Sequence, residues 1–248
     1  MIGDLHCHSK LSDGSTSLED IVFYAKRAGL DVLALTDHDT MSGISRTEIL
    51  GKRYGITILP GVEISTYDEQ TGRRVHILCY LPQKPDRLAG LLARTLEERR
   101  RSGEQMIEQV TRYFPVTPEH ILRYAAASNS IYKVHIMQAL LDLGYDTAIY
   151  GSLYQELFSD KGGKCLVKTV YPKLDEVLET VRSANGVAVF AHPSVYRSMD
   201  LVKHLAPSGL IDGIEVYHPR NTPEDQQVLL KLCEENNLIV TGGTDFHG

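Results

Sequence analysis

Tryptophan is absent from the 248 residues, and the four cysteines (Cys7, Cys79, Cys165, Cys233) never fall at CxxC spacing. That scatter excludes a thiolate-bound structural zinc and fits reduced thiols in a cytoplasmic setting. No apolar run approaches the roughly 18 residues that a membrane span needs, so no membrane partner is expected. The opening Met1-Ile2-Gly3-Asp4 lacks the basic and apolar segments of a secretory signal. Positive charge is also scarce: 26 basic against 32 acidic residues leave a net charge of −6, which argues against a general nucleic-acid coat protein. Neither GxSxG, nor a P-loop, nor a Cys/His pair of known signature is present. The remaining composition, 42% apolar and 23% charged, excludes a disordered or collagen-like chain. The length suits one large domain or two small ones, and single α/β barrels reach it. What the chain has in excess is histidine, ten of them, and their placement matters more than their number.

Short apolar runs alternate with helical periodicity, which predicts an α/β class with a largely parallel sheet. Strands are predicted near 1–7, 31–36, 56–63, 75–81, 186–192, 211–217 and 238–244. In the first helix, Ser15-Thr16-Ser17 offers a cap, Leu18, Ile21, Val22, Ala25 and Ala28 keep helical spacing, and Gly29 ends it. Further helices are predicted around 43–53, 173–184, 197–206 and 223–236. Residues 84–165 break the alternation with helices near 85–112, 118–127, 133–143 and 150–158, an inserted helical subdomain between barrel segments 1–83 and 166–248. The expected architecture is a seven-stranded βα barrel with this insert; an open doubly wound sheet is the alternative.

The ionisable residues fall at the carboxyl ends of these strands, where parallel α/β sheets place their active sites. Asp4, His6 and His8 alternate on the first strand and so share a face, while Cys7 points to the other side and reads as a packed side chain. Asp37-His38-Asp39, Glu63, His192, Glu215 to His218 and Asp245 to His247 end five further strands. His76 begins its strand instead, but a hairpin turn centred between Glu69 and Gln70 would pair it with Glu63. Such convergence points to metal ligation, and the His/carboxylate mixture suits Mn²⁺, Fe²⁺ or Zn²⁺. Asp4, Asp37 and Asp39 read equally as outer partners orienting the imidazoles or as turn and cap residues. His120 and His204 read as surface residues on helix faces. The chain stops one residue after His247, so either it is a shortened form or Asp245 and His247 occupy a frayed end.

Asp4-Leu5-His6-Cys7-His8-Ser9, Thr36-Asp37-His38-Asp39, Gly61-Val62-Glu63-Ile64-Ser65, Ala191-His192-Pro193 and Asp245-Phe246-His247 resemble, in order, the motifs of the PHP (polymerase and histidinol phosphatase) superfamily of metal-dependent phosphoesterases. The resemblance implies a distorted seven-stranded barrel with three divalent metal ions. One ion would take His6, His8, Glu63 and Asp245; a second would share Glu63 and add His76 and His192; the third would take Asp13, His38 and His247. Asp13 stands where many relatives carry histidine, although Ser12-Asp13-Gly14 alone reads as a plain turn. Asp13, Glu63 and Asp245 would offset half the charge of three divalent ions, and a phosphate dianion with a hydroxide the other half. Metal coordination brings a bound water's pKa to about 7, so the hydroxide can attack without a protein nucleophile.

The branch that shares Asp13 resembles bacterial nucleotidases that remove the 3′-phosphate from 3′,5′-nucleoside bisphosphates such as pAp, and some of its members trim short RNA. There the insert grips a second phosphate, which implies roles for Arg99, Arg100, Arg101, Lys133, His135 and Lys164. Lys133 replaces the family's arginine, and an ammonium cannot reproduce the bidentate guanidinium fork. Without the resemblance, Arg99 to Arg101 read as a solvated helix face laced with Glu97, Glu98 and Glu104. The expected activity is therefore hydrolysis of a phosphomonoester of a nucleotide or small metabolite, specifically the 3′-phosphate of a 3′,5′-nucleoside bisphosphate. Histidinol-phosphate phosphatase is the alternative of the same chemistry, and a non-catalytic metal- or partner-binding module the alternative of another class.

Overall fold

A computed structural model describes residues 1–248. Seven strands form one sheet in chain order: β1 (Gly3–Cys7), β2 (Val32–Leu35), β3 (Thr57–Tyr67), β4 (Arg74–Tyr80), β5 (Val187–Phe190), β6 (Gly213–Tyr217) and β7 (Ile239–Gly242). β1, β2 and β3 run parallel, as do β5, β6 and β7, and antiparallel β4 joins the two sets. A parallel bridge from Cys7 to Phe246 brings the end of the chain back against β1, so the barrel is nearly closed.

The β3–β4 hairpin is present, but its register is one pair further along than the sequence suggests. Ser65, not Glu63, stands opposite His76, and Glu63 faces Leu78. The cause lies in the turn. The Asp68 carboxylate accepts the Thr71 N–H at 2.8 Å, and Gly72, at φ +66°, returns its N–H to the Asp68 carbonyl at 2.8 Å. This Asx-type turn moves the hairpin centre one residue along the chain. A shift by a whole pair keeps each side chain on its face.

Helices α1 (Leu18–Arg27), α2 (Ile44–Tyr54), α3 (Asp86–Thr111), α4 (Pro118–Leu122), α5 (Lys133–Asp142), α6 (Ser152–Phe158), α7 (Leu174–Ser183), α8 (Met199–Leu205) and α9 (Pro223–Asn236) complete the chain. Ser17 caps α1 by accepting the Asp20 N–H, and Ile21, Val22 and Ala25 bury its apolar stripe with Cys7 and Leu35. The larger of these side chains, Ile21, Val22 and Leu35, each contribute about 1.5–3 kcal/mol on burial. α4 stops well before residue 127, because i to i+3 hydrogen bonds replace the helical ladder from Tyr124 to Ala126. None of the helices is long and apolar enough to cross a membrane.

Two compact units result, Met1–Ala93 with Tyr171–Gly248, and Arg94–Val170. The division falls inside α3, not at its start, because Leu88, Leu91 and Leu92 pack into the barrel's core with Val62, Ile77 and Val177. The second unit has its own core, centred on Ile136, Met137, Leu140 and Phe158.

Candidate metal centre

The strand ends deliver the ionisable residues to one rim. His6 and His8 leave β1 on the same face, His38 follows β2, Glu63 lies in β3, His76 in β4, and His192 follows β5. Glu63 is the hub. Its Oε1 lies 2.6 Å from His76 Nδ1 and 2.7 Å from His192 Nε2, and its Oε2 lies 3.0, 3.2 and 3.3 Å from His38 Nδ1, His8 Nε2 and His6 Nε2. His76 reaches Glu63 diagonally across the hairpin, a geometry open to long side chains two positions apart on one face.

Asp245 and His247 are held, not frayed. The His8 N–H bonds the Phe246 carbonyl at 2.8 Å, and the Ser15 N–H bonds that of His247 at 2.6 Å. Gly243 allows this close approach, since a Cβ there would stand 2.4 Å from that of His6. Asp245 Oδ1 then lies 3.2 Å from His8 Nε2, and Asp13 Oδ1 lies 3.3 Å from His247 Nε2.

Four groups bring their ligand atoms within 4.8 Å of one another: His6, His8, Glu63 and Asp245; His8, Asp13, His38 and His247; His38, Glu63 and His76; and His6, His192 and Glu215. All nine anticipated ligands are among them. His192 and His76 fall in different groups, although both touch the same oxygen of Glu63. Buried His6 Nε2, His8 Nε2, His192 Nδ1 and Asp13 Oδ1 make no hydrogen bond. Buried polar atoms normally find partners, so a set of candidate ligand atoms without them fits divalent cations. Nitrogen and carboxylate donors without thiolate suit Mn²⁺, Fe²⁺ or Zn²⁺.

The charges of the site respond to one another. Burial would depress His8, but Asp245 and Glu63 overcome it and lift its pKa to about 10; His6 rises in the same way through Glu215 and Glu63. His76 falls to about 4, because burial outweighs Glu63 and the nearby Arg74 adds repulsion. Against the effect of burial, Glu63 is held well below the usual carboxylate range by His76, His38 and His6, and Asp13 by His38 and His247.

The three outlying aspartates brace backbone. Asp4 accepts the His6 and Thr244 N–H groups and the Thr244 hydroxyl, and Asp39 accepts the Ser65 N–H at 2.8 Å. Asp37 accepts the Ser9 N–H at 2.7 Å and the Ser9 and Ser12 hydroxyls at 2.7 and 2.6 Å, folding the loop that carries Asp13. Asp37→Ala removes the shared acceptor of three buried donors and is expected to destabilise the fold by about 2–4 kcal/mol. Urea unfolding measures this, and a loss below about 0.5 kcal/mol would contradict the bracing role.

In the second unit, buried Arg99 stacks its guanidinium 4.5 Å over the Tyr132 ring, and Tyr132 meets buried His135 edge-on at 5.6 Å. Lys133 Nζ donates to the Phe158 carbonyl at 3.4 Å. Arg100, Arg101 and Lys164 lie on exposed surface, paired with Glu97, Glu98 and Glu156 at 2.9, 3.1 and 2.6 Å. Residues that the sequence did not assign also meet the metal-ligand candidates. Glu215 contacts His6, His218 contacts Asp245, and the Tyr196 hydroxyl lies 3.4 Å from His76 Nε2. The signal for the first two was their place at the end of β6.

The PHP domain model matches residues 4–188. The chain belongs to the PHP domain family. It is 37% identical to the phosphoribosyl 1,2-cyclic phosphate 1,2-diphosphodiesterase of Eggerthella lenta, over 100% of this chain and 95% of that relative. It is 28% identical to the 3′,5′-nucleoside bisphosphate phosphatase of Chromobacterium violaceum, over 98% of this chain and 86% of the relative. Among solved structures, a Bifidobacterium adolescentis protein assigned by inference as a metal-dependent phosphoesterase matches with a TM-score of 0.89 at 30% identity, covering 99% of this chain and 87% of that one. The nearly closed seven-stranded barrel is thus a PHP barrel, and this PHP chain is a phosphohydrolase.

Proposed function

We propose that the chain hydrolyses a phosphate ester on a ribose that carries a second phosphate, with 3′-phosphate removal from 3′,5′-nucleoside bisphosphates (pAp) as the reaction. The observation that carries the hydrolytic part is the hub at Glu63, around which five histidines converge from four different strands or strand ends. The ligands are assigned as His6, His8, Glu63 and Asp245 for one cation and Asp13, His38 and His247 for another, each set lying within one group, and as Glu63, His76 and His192 for a third, supported by the contact of both histidines with the same Glu63 oxygen. When bound, such cations acidify a water molecule and neutralise the charge of a phosphoryl group. The chain's own residues set the geometry. Glu63 fixes the spacing between ligands, Tyr196 engages the Nε2 of His76 and so leaves Nδ1 directed at Glu63, and the His247 Nδ1–H donates to the Asp245 carbonyl at 2.7 Å, leaving Nε2 toward Asp13.

Two features support an anionic substrate with a sugar and base. Arg74 lies on the same face of β4 as His76 and stacks over Tyr196 and Tyr171 at 5.4 and 4.8 Å, a cation that opposes a positive charge on His76. An incoming anion relieves that repulsion. In the unit 94–170, buried Arg99, Tyr132 and His135 combine a guanidinium, an aromatic face and an imidazole, the set that grips phosphate and stacks on a base. The second phosphate is assigned to Arg99 and His135, with Lys133 in support, because Arg100, Arg101 and Lys164 are already neutralised by exposed glutamates. Arg99→Ala is expected to raise KM for pAp by about tenfold or more, whereas Arg100→Ala and Arg101→Ala should change it less than about twofold. Equal effects of all three substitutions on KM would reverse that assignment.

The 37% identity over the whole chain to a cyclic phosphate diphosphodiesterase favours a second reading, cleavage of a phosphoribosyl 1,2-cyclic phosphate. Chromatographic analysis of the products formed by the Mn²⁺-loaded protein discriminates the readings when pAp, AMP, phosphoribosyl 1,2-cyclic phosphate, histidinol phosphate and short oligoribonucleotides are compared, since opening a cyclic diester or cutting RNA frees no inorganic phosphate. Preference for pAp over AMP by about 100-fold or more is expected from a second charged grip. Faster turnover of the cyclic phosphate would establish the second reading. Turnover of histidinol phosphate alone would overturn both, and no turnover of any would leave a binding module. Four free and buried cysteines agree with a reducing, cytoplasmic setting.

A further inference from the structure

β6 contributes none of the nine anticipated ligands, yet its carboxyl end touches three of them. Glu215 is fully buried, and its two oxygens are both engaged. Oε1 lies 2.9 Å from His6 Nδ1, and Oε2 accepts the His192 N–H at 2.8 Å. With Nδ1–H donating to the carboxylate, the neutral His6 ring presents an unprotonated Nε2 to the side where His8, Glu63 and Asp245 lie. His192 has φ +25°, a conformation that a non-glycine residue holds only when its surroundings impose it. The bond from its N–H to Glu215 is one such constraint.

His218 does the equivalent for Asp245. Its Nδ1 accepts the Arg220 N–H at 3.0 Å, so in the neutral ring the proton sits on Nε2, which lies 3.3 Å from Asp245 Oδ2. Oδ2 is thereby occupied, and Oδ1 is turned toward His6 Nε2 and His8 Nε2 at 3.4 and 3.2 Å. Asp245 too has a left-handed backbone, at φ +54°. The strand end that makes both contacts is itself pinned, since the Asn221 side chain donates to the carbonyls of Glu215 and Val216, each at 3.0 Å.

We propose that Glu215 and His218 are positioning residues that fix the tautomer of His6 and the orientation of the Asp245 carboxylate, so that His6 Nε2 and Asp245 Oδ1 converge on the cation shared with His8 and Glu63. This rests on the metal-binding reading above. Glu215 as a direct ligand, with His6 and His192, is the competing assignment. Each oxygen of Glu215 already faces an N–H group, His6 Nδ1 at 2.9 Å and the His192 backbone at 2.8 Å, which are the contacts of a positioning residue.

The test is Mn²⁺ binding to chelator-stripped protein, by calorimetric titration with bound metal counted by elemental analysis. Glu215→Gln offers one oxygen and one amide NH₂ to two N–H donors, so one bond must fail. Its expected result is an unchanged number of bound ions, with one site weakened by about 10–100-fold. His218→Leu should weaken the same site, and His218→Gln, whose amide N–H can reach Asp245, should restore most of the affinity. The His218 pair decides the question even if Glu215→Gln fails to fold, which circular dichroism would show. Titrations of Glu215→Gln and His218→Leu that match the wild type would overturn the proposal. Loss of one whole equivalent in Glu215→Gln and Glu215→Asp alike, with His218→Leu unaffected, would make Glu215 a ligand instead. A wild-type protein that binds no Mn²⁺ would fail the underlying metal reading, a result distinct from either.

Discussion

Glu63→Gln is expected to lower kcat/KM by about three orders of magnitude or more, the scale of the several kcal/mol that cation-assisted charge stabilisation supplies. The reason is its position. One carboxylate stands within 3.3 Å of nitrogens from His6, His8, His38, His76 and His192. Glutamine keeps the volume but removes the charge and replaces one acceptor with an NH₂ that faces histidine nitrogens. Both the group with His38 and His76 and the group with His6, His8 and Asp245 lose their shared member. Steady-state kinetics with pAp, beside a count of bound metal, measures the effect. A variant with near-native turnover and a full metal complement would remove Glu63 from the centre.

Exhaustive chelation should abolish phosphate release, and Mn²⁺ should restore it. It should also lower thermal stability. A ligand that binds only the folded state at about 100-fold excess over its Kd contributes about 2.7 kcal/mol per site. For a chain of this size, each kcal/mol moves Tm by about 2–4 °C, so each filled site should be worth roughly 5–10 °C. The stabilisation has a structural origin, because the ligands come from both ends of the chain and from most strands between. His6 and His247 are brought together by the bridge between Cys7 and Phe246. Calorimetric scans of stripped and reloaded protein check this, and turnover that survives complete removal of metal would take the cations out of the reaction.

Most of the ligand candidates were legible for a simple reason. Strand alternation puts Asp4, His6 and His8 on one face, and the rule that α/β sites lie at the carboxyl ends of strands collects His38, Glu63, His192, Asp245 and His247, whereas His76 needed the hairpin and Asp13 was marked only by resemblance to the family. Where sequence reading erred or stayed open, the deciding forces acted across distance. The Asp68 turn moved the hairpin register by one pair, yet His76 still reached Glu63 because the shift preserved its face. The end of the chain, open to reading as frayed, is tied to β1 and to Ser15 by backbone hydrogen bonds that only the closed barrel permits.

Local pattern therefore determined the α/β class, the order of elements and the kinds of ligand, because periodicity and residue chemistry act over a few positions. Tertiary structure alone decided which of three consecutive arginines is buried, since the ion pairs of Arg100 and Arg101 and the stacking of Arg99 depend on how α3 is turned. It also decided that Glu215 and His218 belong with the metal centre. Their partners His6 and Asp245 lie 209 and 27 residues away in sequence, and the pairing of β6 with β7 and the return of the sheet toward β1 bring them within reach.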